Sequence, residues 1–298
     1  MSAEVWSGPT PAQWLAGARP RTLPAAVSPV LAGSAVALFY GGFAPLRALL
    51  CLVVSLALQV GVNYANDYSD GIRGTDRARV GPLRLVGSGL ARPVAVRRAA
   101  FAAFGVAGAA GLVLVGLSGR WWLLVLGALA IAAAWFYTGG RHPYGYRGLG
   151  EVFVFVFFGL VAVSGTCYVQ LGRLPLAAVL ISAGIGALTC AILVANNLRD
   201  RAGDAAAGKR TLATRIGDRA TRRLYVALVV AGGLSVVGLA ALTSWWALLG
   251  LAGLVPLAAA VRTVLGGATG AELIAVLKTT GTAELLVAAG LSAGLWLG

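Results

Sequence analysis

The sequence of 298 residues has few charged side chains, which make up 11% of it, and only ten of them are carboxylates. Soluble domains carry roughly 25% charged residues, so this scarcity excludes an ordinary soluble protein. The three cysteines, Cys51, Cys167 and Cys190, stand singly in apolar segments, which argues against a CxxC-type metal or redox site. The single histidine, His142, lies in a loop, and we do not predict it to act as a base.

Apolar residues make up 59% of the chain, and its mean hydropathy is +0.84. Hydrophobic runs long enough to cross a bilayer, about 20 residues each, recur along the whole length. We therefore expect an all-α integral membrane protein that forms a single polytopic domain over residues 1–298. The runs predict about nine transmembrane helices, at about 23–41, 47–66, 99–117, 121–138, 151–170, 175–198, 224–243, 246–262 and 280–297.

Basic residues are distributed unevenly between the two sides of this predicted topology. The net charge is +14, and 21 of the 24 lysines and arginines lie on the side of the N-terminus. Only Arg47, Arg120 and Arg173 lie on the other side. The positive-inside rule then predicts a cytoplasmic N-terminus for a multi-pass protein of the inner (plasma) membrane. Topology accounts for most of the positive charge, so we expect no nucleic-acid partner.

A polar segment closes the second apolar run, where Asn63, Asn66, Asp67 and Asp70 are spaced i, i+3, i+4 and i+7. On a helix these side chains share one face. Two glycines then loosen the backbone, which would let Asp76 fold back towards the same place. So many oxygen ligands would repel one another unless a cation lay among them, and hard cations such as Mg²⁺ bind carboxylates and bridge to phosphate. Residues 63–76 are called the first acidic motif below.

The second acidic motif, residues 196–204, lies 130 residues further along and closes the sixth apolar run with Asn196, Asn197 and Asp200, followed by Asp204. The two motifs contain five of the ten carboxylates in the chain. An even number of crossings separates them, so both face the cytoplasm and can meet across a pseudo-twofold axis along the membrane normal. We expect a pseudo-repeat in which two Asp-rich helix ends form one pocket.

Basic side chains near each acidic motif extend the predicted site. An acidic pocket that holds one or two Mg²⁺ ions presents a positive surface to a diphosphate, which takes further hydrogen bonds from basic groups. The apolar helices would hold a long hydrocarbon tail, so the pattern favours a lipid diphosphate as substrate. The candidate diphosphate ligands are Arg73, Arg84, Arg199, Lys209 and Arg210.

Four segments of the chain resemble the UbiA superfamily of intramembrane aromatic prenyltransferases, and most closely its 1,4-dihydroxy-2-naphthoate polyprenyltransferase branch. The acidic pair is typical of the superfamily, whereas the Pro-Tyr-Gly-Tyr sequence at 143–146 and the Asn-Asp-Tyr-x-Asp-Gly sequence at 66–71 favour the naphthoate branch. The segments are 17–24, 63–84, 137–146 and 196–212.

This resemblance implies about nine helices around a central cavity, with a metal-bound diphosphate at its cytoplasmic end. It implies transfer of a polyprenyl group from polyprenyl diphosphate to 1,4-dihydroxy-2-naphthoate, with loss of the carboxylate, to give demethylmenaquinone in menaquinone biosynthesis. The implied cofactor is Mg²⁺, as two ions. Asp76 comes two residues later than the third acid of the family pattern. The expected metal ligands are Asn66, Asp67, Asp70, Asp76, Asp200 and Asp204.

We expect the remaining site residues to bind the two substrates. Lys209 joins the four aspartates at 67, 70, 200 and 204 as a catalytic residue, and Tyr144 and Tyr146 line the site of the aromatic acceptor. Asparagines of the two motifs complete the diphosphate and substrate contacts. They are Asn63, Asn196 and Asn197.

Two other functions remain open from the sequence. The same chemistry would suit another aromatic acceptor, such as 4-hydroxybenzoate or homogentisate. A cation-coupled secondary transporter would use the duplicated carboxylates for its coupling ions, but transporter acids usually lie near the bilayer midplane in broken helices. Here the acids lie at helix ends beside basic segments, which favours the enzyme.

The two-motif site predicts the effect of removing one charge from either motif. We expect Asp67→Asn or Asp200→Asn nearly to abolish turnover, because each weakens the negative pocket, while the protein still inserts and folds. Prenyl transfer by the purified variants measures this, with thermal unfolding as the control for folding. Near-normal activity in both variants would refute the site.

Overall fold

The computed structural model of the protein describes residues 8–75 and 83–298. These residues are mostly helical and contain no strand, which confirms the all-α prediction. Short 3₁₀ helices cover Pro20–Thr22, Tyr144–Arg147 and Trp245–Leu254, and a π-helix covers Phe155–Val161. The α-helices are α1 (Pro11–Gly17), α2 (Pro24–Phe39), α3 (Pro45–Arg73), α4 (Pro93–Ser118), α5 (Leu123–Phe136), α6 (Gly150–Val154), α7 (Ala162–Leu171), α8 (Leu176–Ala206), α9 (Leu212–Leu242), α10 (Leu257–Leu265) and α11 (Glu272–Leu297).

Six helical segments in the described part of the chain are long and apolar enough to cross a membrane, namely α3, α4, Gly150–Leu171, α8, α9 and α11. Two bent pairs raise the number to eight if each is one span: Pro11–Thr22 with α2, bent by 50°, and Trp245–Leu254 with α10, bent by 45°. Helix α5 is apolar but has only 14 residues, fewer than the ~20 that cross a bilayer. The protein is therefore a multi-pass membrane protein, whereas the predicted count of nine spans is not confirmed.

Both acidic motifs extend the membrane helices rather than following them. The second and sixth apolar runs end near 66 and 198, but α3 continues to Arg73 and α8 continues to Ala206. Hydropathy marks where apolar residues stop, whereas the helical backbone continues until Gly74, in the left-handed region at φ 71°, ends α3. The acidic side chains of the motifs that the structure describes, at 67, 70, 200 and 204, are thus held on rigid helices.

Helix α8 is the most buried of the spanning helices and packs against α9, α11 and the π-helix. A Cβ atom on Gly159 would lie 2.6 Å from the Cα atom of Gly186, so the π-helix and α8 touch backbone to backbone. π-helical turns are rare and often occur at functional sites. This contact packs Gly150–Leu171 along α8, the helix that carries the second acidic motif.

Gly33 of α2 and Gly105 of α4 form a matched pair for testing the helix packing. A Cβ on Gly33 would lie 2.4 Å from the Val163 carbonyl oxygen, whereas a Cβ on Gly105 meets nothing within 4 Å. We expect Gly33→Ala to lower the free energy of unfolding by about 1–3 kcal/mol through overpacking. Gly105→Ala should leave it unchanged or raise it, since alanine favours helix. Thermal unfolding in detergent measures both, and equal losses would contradict the close contact of α2 with α7.

Candidate active site

A cavity of about 990 Å³ lies between the helices. Side chains of both acidic motifs line its polar end, among them Asn66, Asp70, Asp200 and Asp204. Aliphatic and aromatic side chains of α4, α5 and the segment Gly150–Leu171 line the rest of the wall. Two motifs far apart in sequence therefore share one cavity with an apolar interior.

The asparagines of the first motif connect α3 to neighbouring segments. Asn63 Nδ2 donates to the Ala18 carbonyl oxygen at 2.8 Å and to Thr22 Oγ1 at 3.0 Å. Asn66 Oδ1 accepts a hydrogen bond from Thr138 Oγ1 at 2.7 Å. Both asparagines also line the cavity, so the same residues fix the surrounding chain and face a ligand.

Asp67 faces a loop, and among the described residues it is not part of the cavity wall. Its Oδ2 accepts from the Leu85 amide at 2.7 Å and its Oδ1 accepts from the Val86 amide at 3.0 Å. The side chain is 1% exposed. Asp67 therefore anchors the loop after the first motif, and its predicted role as a metal ligand stays a prediction.

Asp70 is the acid of the first motif that meets basic groups at the cavity. Its Oδ1 lies 3.5 Å from Lys209 Nζ, and its Oδ2 lies 3.7 Å from Arg84 Nη2. The Tyr146 hydroxyl donates to the same Oδ1. Asp70 is 3% exposed, and a carboxylate buried to this degree requires such partners.

The second motif meets the first through one lysine. Lys209 Nζ lies 3.7 Å from Asp204 Oδ1 as well as near Asp70, so one ammonium group is shared by the two motifs. Arg199 makes a bidentate pair with Asp200, with Nε to Oδ1 and Nη2 to Oδ2 both at 2.7 Å. The predicted convergence of the motifs is therefore present, and cations already neutralise their carboxylates.

The loop between α5 and α6 contributes three tyrosines to the cavity wall. The Tyr144 hydroxyl donates to the Ala133 carbonyl oxygen at 2.8 Å, so the ring is held with its hydroxyl committed to α5. Burial raises the pKa of Tyr137, Tyr144 and Tyr146 above the usual value for a phenol, and for Tyr146 the Asp70 carboxylate raises it further. All three phenols therefore keep their protons at neutral pH.

Two of the predicted ligands, Arg73 and Arg210, are not among the described residues that line the cavity. Arg73 donates to the carbonyl oxygens of Thr138 and Gly140, which ties the end of α3 to the loop after α5. The Arg210 side chain is exposed and is not among the described residues that line the cavity. Asp76 lies outside the described residues. These three roles stay predictions that no contact in the described structure supports.

Sequence reasoning missed several polar residues of the wall. Arg19, Arg21 and Lys278 line the cavity, although they were not expected at the substrate site. Arg19 is also the only non-glycine residue with positive φ (54°) in the described part of the chain, a strained conformation often found at functional sites. The sequence features that could have indicated these residues are the Arg-Pro-Arg sequence at 19–21 and the isolated Lys278 in an apolar run.

The donor chemistry of the polar end fits a hard cation. Within residues 8–75 and 83–298, no three histidine, cysteine, aspartate or glutamate side chains come close enough to hold a metal ion. The carboxylates of Asp70, Asp200 and Asp204 and the amide of Asn66 nevertheless face one cavity and supply only oxygen ligands. Mg²⁺ prefers such ligands, and the charge it brings would replace that of the basic partners.

A sequence model of the UbiA prenyltransferase family matches residues 26–294. The chain belongs to the UbiA prenyltransferase family. This confirms the predicted resemblance of the chain to that family.

Similar proteins and structures support the same assignment. The 1,4-dihydroxy-2-naphthoate octaprenyltransferase of Mycobacterium leprae (strain TN) is 52% identical over 289 residues, which are 96% of this chain and 97% of that protein. A UbiA homolog from Aeropyrum pernix K1 superimposes with a TM-score of 0.69 at 15% identity, covering 92% of this chain and 97% of the other. A UbiA homolog from Archaeoglobus fulgidus bound to DMAPP and Mg²⁺ superimposes with a TM-score of 0.61 at 15% identity, covering 96% of this chain and 100% of the other. The two structures share the fold of this family member.

The contacts of Asp67 predict a local effect that is independent of catalysis. Asp67→Asn removes one of two acceptor oxygens and turns an amide donor towards a backbone N–H group, so the segment around Leu85 and Val86 should loosen. We expect faster hydrogen–deuterium exchange at the amides of Leu85 and Val86. Asp218→Asn serves as the control, because the described partners of the Asp218 carboxylate are Arg201 and Arg222. Unchanged exchange in Asp67→Asn would contradict the anchoring role.

Proposed function

We propose that this protein transfers a polyprenyl group from polyprenyl diphosphate to 1,4-dihydroxy-2-naphthoate, with loss of the carboxylate as CO₂, to form the quinol (two-electron-reduced) form of demethylmenaquinone. The observation that carries the proposal is the shared contact of Lys209 with Asp70 and Asp204 at the polar end of an apolar cavity. The naphthoate as acceptor is supported by the name of the M. leprae relative, at 52% identity over nearly both chains.

The two ends of the cavity suit the two ends of a polyprenyl diphosphate. Arg84, Arg199 and Lys209 line the polar end and would donate hydrogen bonds to the diphosphate. Apolar side chains such as Leu114, Leu123 and Val169 line the wall where the hydrocarbon tail would lie. Because the tail is insoluble in water, a site open to apolar helices suits this substrate better than an aqueous cleft.

Asn66, Asp70, Asp200 and Asp204 would hold Mg²⁺, as two ions, at the polar end of the cavity. Bound there, the ions supply positive charge that stabilises the departing diphosphate. Arg84, Arg199 and Lys209 add to that stabilisation because their charges are already fixed at the site. Asp67 and Asp76 are included in the proposed ligand set on sequence grounds alone.

In the proposed reaction, the bond between the allylic carbon and the diphosphate oxygen breaks and its electrons leave with diphosphate. A new carbon–carbon bond forms between the allylic carbon and the aromatic ring. The ring then loses CO₂, and the electron pair of the broken bond restores its aromaticity. The apolar wall excludes water, which would otherwise capture the electron-poor allylic carbon.

The orientation in the membrane is part of the same proposal. Both acidic motifs open to one end of the cavity, and the positive-inside rule puts that end in the cytoplasm. The protein would act as one domain in the inner membrane, taking its tail-bearing substrate from the bilayer and its aromatic substrate from the cytoplasmic side.

Purified protein in detergent or lipid, supplied with polyprenyl diphosphate, Mg²⁺ and a panel of aromatic acceptors, tests the function. We expect the mass of a decarboxylated, prenylated product from 1,4-dihydroxy-2-naphthoate, and its loss when EDTA removes the metal. Product formed only from 4-hydroxybenzoate or only from homogentisate would show that this compound, and not the naphthoate, is the acceptor. No release of diphosphate with any acceptor would rule the enzyme out.

The shared lysine makes a second prediction. Lys209→Gln keeps a polar side chain but removes the charge between Asp70 and Asp204, and we expect kcat/KM for polyprenyl diphosphate to fall about 10²-fold. Arg219→Gln removes one positive charge from an exposed position of α9 and controls for net charge. Equal, small effects in both variants would show that Lys209 is only one of many charges on this side of the membrane.

A further inference from the structure

Glu151 is a buried acid next to the cavity that the mechanism above does not use. Its Oε1 accepts a hydrogen bond from Asn197 Nδ2 at 2.9 Å. Its Oε2 is buried and has no hydrogen-bond partner within the described part of the chain. The side chain is 9% exposed. A helix-dipole role would be served by an exposed acid, so burial with an unsatisfied oxygen requires another reason.

The contact with Glu151 sets the orientation of the Asn197 amide. An asparagine side chain has a donor end and an acceptor end, and an ionised carboxylate can only accept. Because Nδ2 points to Glu151, Oδ1 is the end left for the cavity, which Asn197 lines. Among the described residues, no group donates a hydrogen bond to this oxygen. Asn196 differs, since its Oδ1 accepts from Arg199 Nη2 at 2.7 Å.

An aromatic wall adjoins this amide. The rings of Tyr144 and Phe153 are stacked with centroids 3.9 Å apart at 23°, and Phe157 continues the stack at 6.1 Å. Tyr137 meets Tyr144 edge to face, with centroids 5.5 Å apart. All four rings line the cavity. The Tyr137 hydroxyl lies 3.5 Å from the Cβ position of Gly150, so the wall reaches the residue beside Glu151.

The charges in this region distinguish between the possible ligands. The described ion pairs at the cavity involve the acids of the two motifs, and none of them includes Glu151. The carboxylate end of an aromatic acid would be disfavoured beside the Glu151 carboxylate, whereas a neutral ring hydroxyl would donate to Asn197 Oδ1. Flat rings on one side and a single acceptor oxygen on the other suit a hydroxylated aromatic compound.

We propose that Glu151 is a positioning residue for the aromatic substrate. It fixes Asn197 so that Oδ1 accepts a hydrogen bond from a ring hydroxyl, while the ring lies against Tyr144 and Phe153. Asn197 precedes Asp200 by three residues of α8, about 4.5 Å along the helix axis, so the ring stands beside the diphosphate end. This inference rests on the proposed function, because it assigns the second substrate of that reaction.

Steady-state kinetics of Glu151→Gln, with each substrate varied in turn, tests the inference. A glutamine can present its own NH₂ group to Asn197 and release the amide from its fixed orientation. We expect KM for 1,4-dihydroxy-2-naphthoate to rise about tenfold, the effect of one lost hydrogen bond, while KM for polyprenyl diphosphate stays within about twofold. Glu272→Gln is the matched control, since Glu272 also lies in the first turn of a helix but is exposed.

Two further measurements keep the test decisive. Asn197→Ala should raise the same KM, and the double variant Glu151→Gln/Asn197→Ala should be no worse than Asn197→Ala alone, because Glu151 acts through Asn197. Equilibrium dialysis of the naphthoate against wild type and Glu151→Gln gives its affinity without turnover, and thermal unfolding confirms that each variant is folded.

The outcomes separate the inference from the function on which it rests. Equal changes in both KM values, additive effects in the double variant, or equal naphthoate affinity in wild type and Glu151→Gln would overturn the role of Glu151. Absence of product from every acceptor with wild type would overturn the proposed function. If the wild type forms no product but binds the naphthoate more tightly than Glu151→Gln does, the dialysis result would still support the aromatic site. If the wild type does not bind the naphthoate at all, the aromatic site would be overturned as well.

Discussion

The ammonium group of Lys209 lies between Asp70 and Asp204, and this electrostatic contact joins the two acidic motifs into one site. The two carboxylates come from helix ends far apart in sequence, and both are largely shielded from water. Without a cation between them their repulsion would be strong, because the surrounding medium screens charges poorly. The same requirement explains why Arg84 and Arg199 pair with Asp70 and Asp200.

Rigid helices bring these charges to one place. Helices α3 and α8 continue past their apolar residues, so Asp67, Asp70, Asp200 and Asp204 are carried on helix rather than on a loop. Contacts from Asn63, Asn66 and Asp67 then tie the neighbouring segments to α3. The polar end is therefore ordered by hydrogen bonds, while the apolar wall needs only suitable side chains to receive a hydrocarbon tail.

Helical class, membrane insertion and the convergence of two acidic motifs could be predicted from sequence because each follows from a local pattern. The i, i+3, i+4, i+7 spacing put Asn63, Asn66 and Asp70 at the cavity, but it could not show that Asp67 turns to the Leu85 and Val86 amides. Arg73 was a reasonable diphosphate ligand by position, yet distant carbonyl groups hold it. Glu151 resembled an ordinary helix-start acid, since its partner Asn197 is far away in sequence. The predicted count of nine spans is not confirmed, because bends and a short helix interrupt the apolar pattern.

We propose that the two acidic motifs together form one shared site for both metal ions, rather than two separate sites. Mn²⁺ affinity in the presence of polyprenyl diphosphate, followed by the EPR signal of the free ion, tests this in Asp70→Asn, Asp204→Asn and the double variant. One shared site predicts that either single substitution weakens binding nearly as much as both together. Additive losses, with each single variant retaining one full-affinity ion, would show two independent sites and contradict the account.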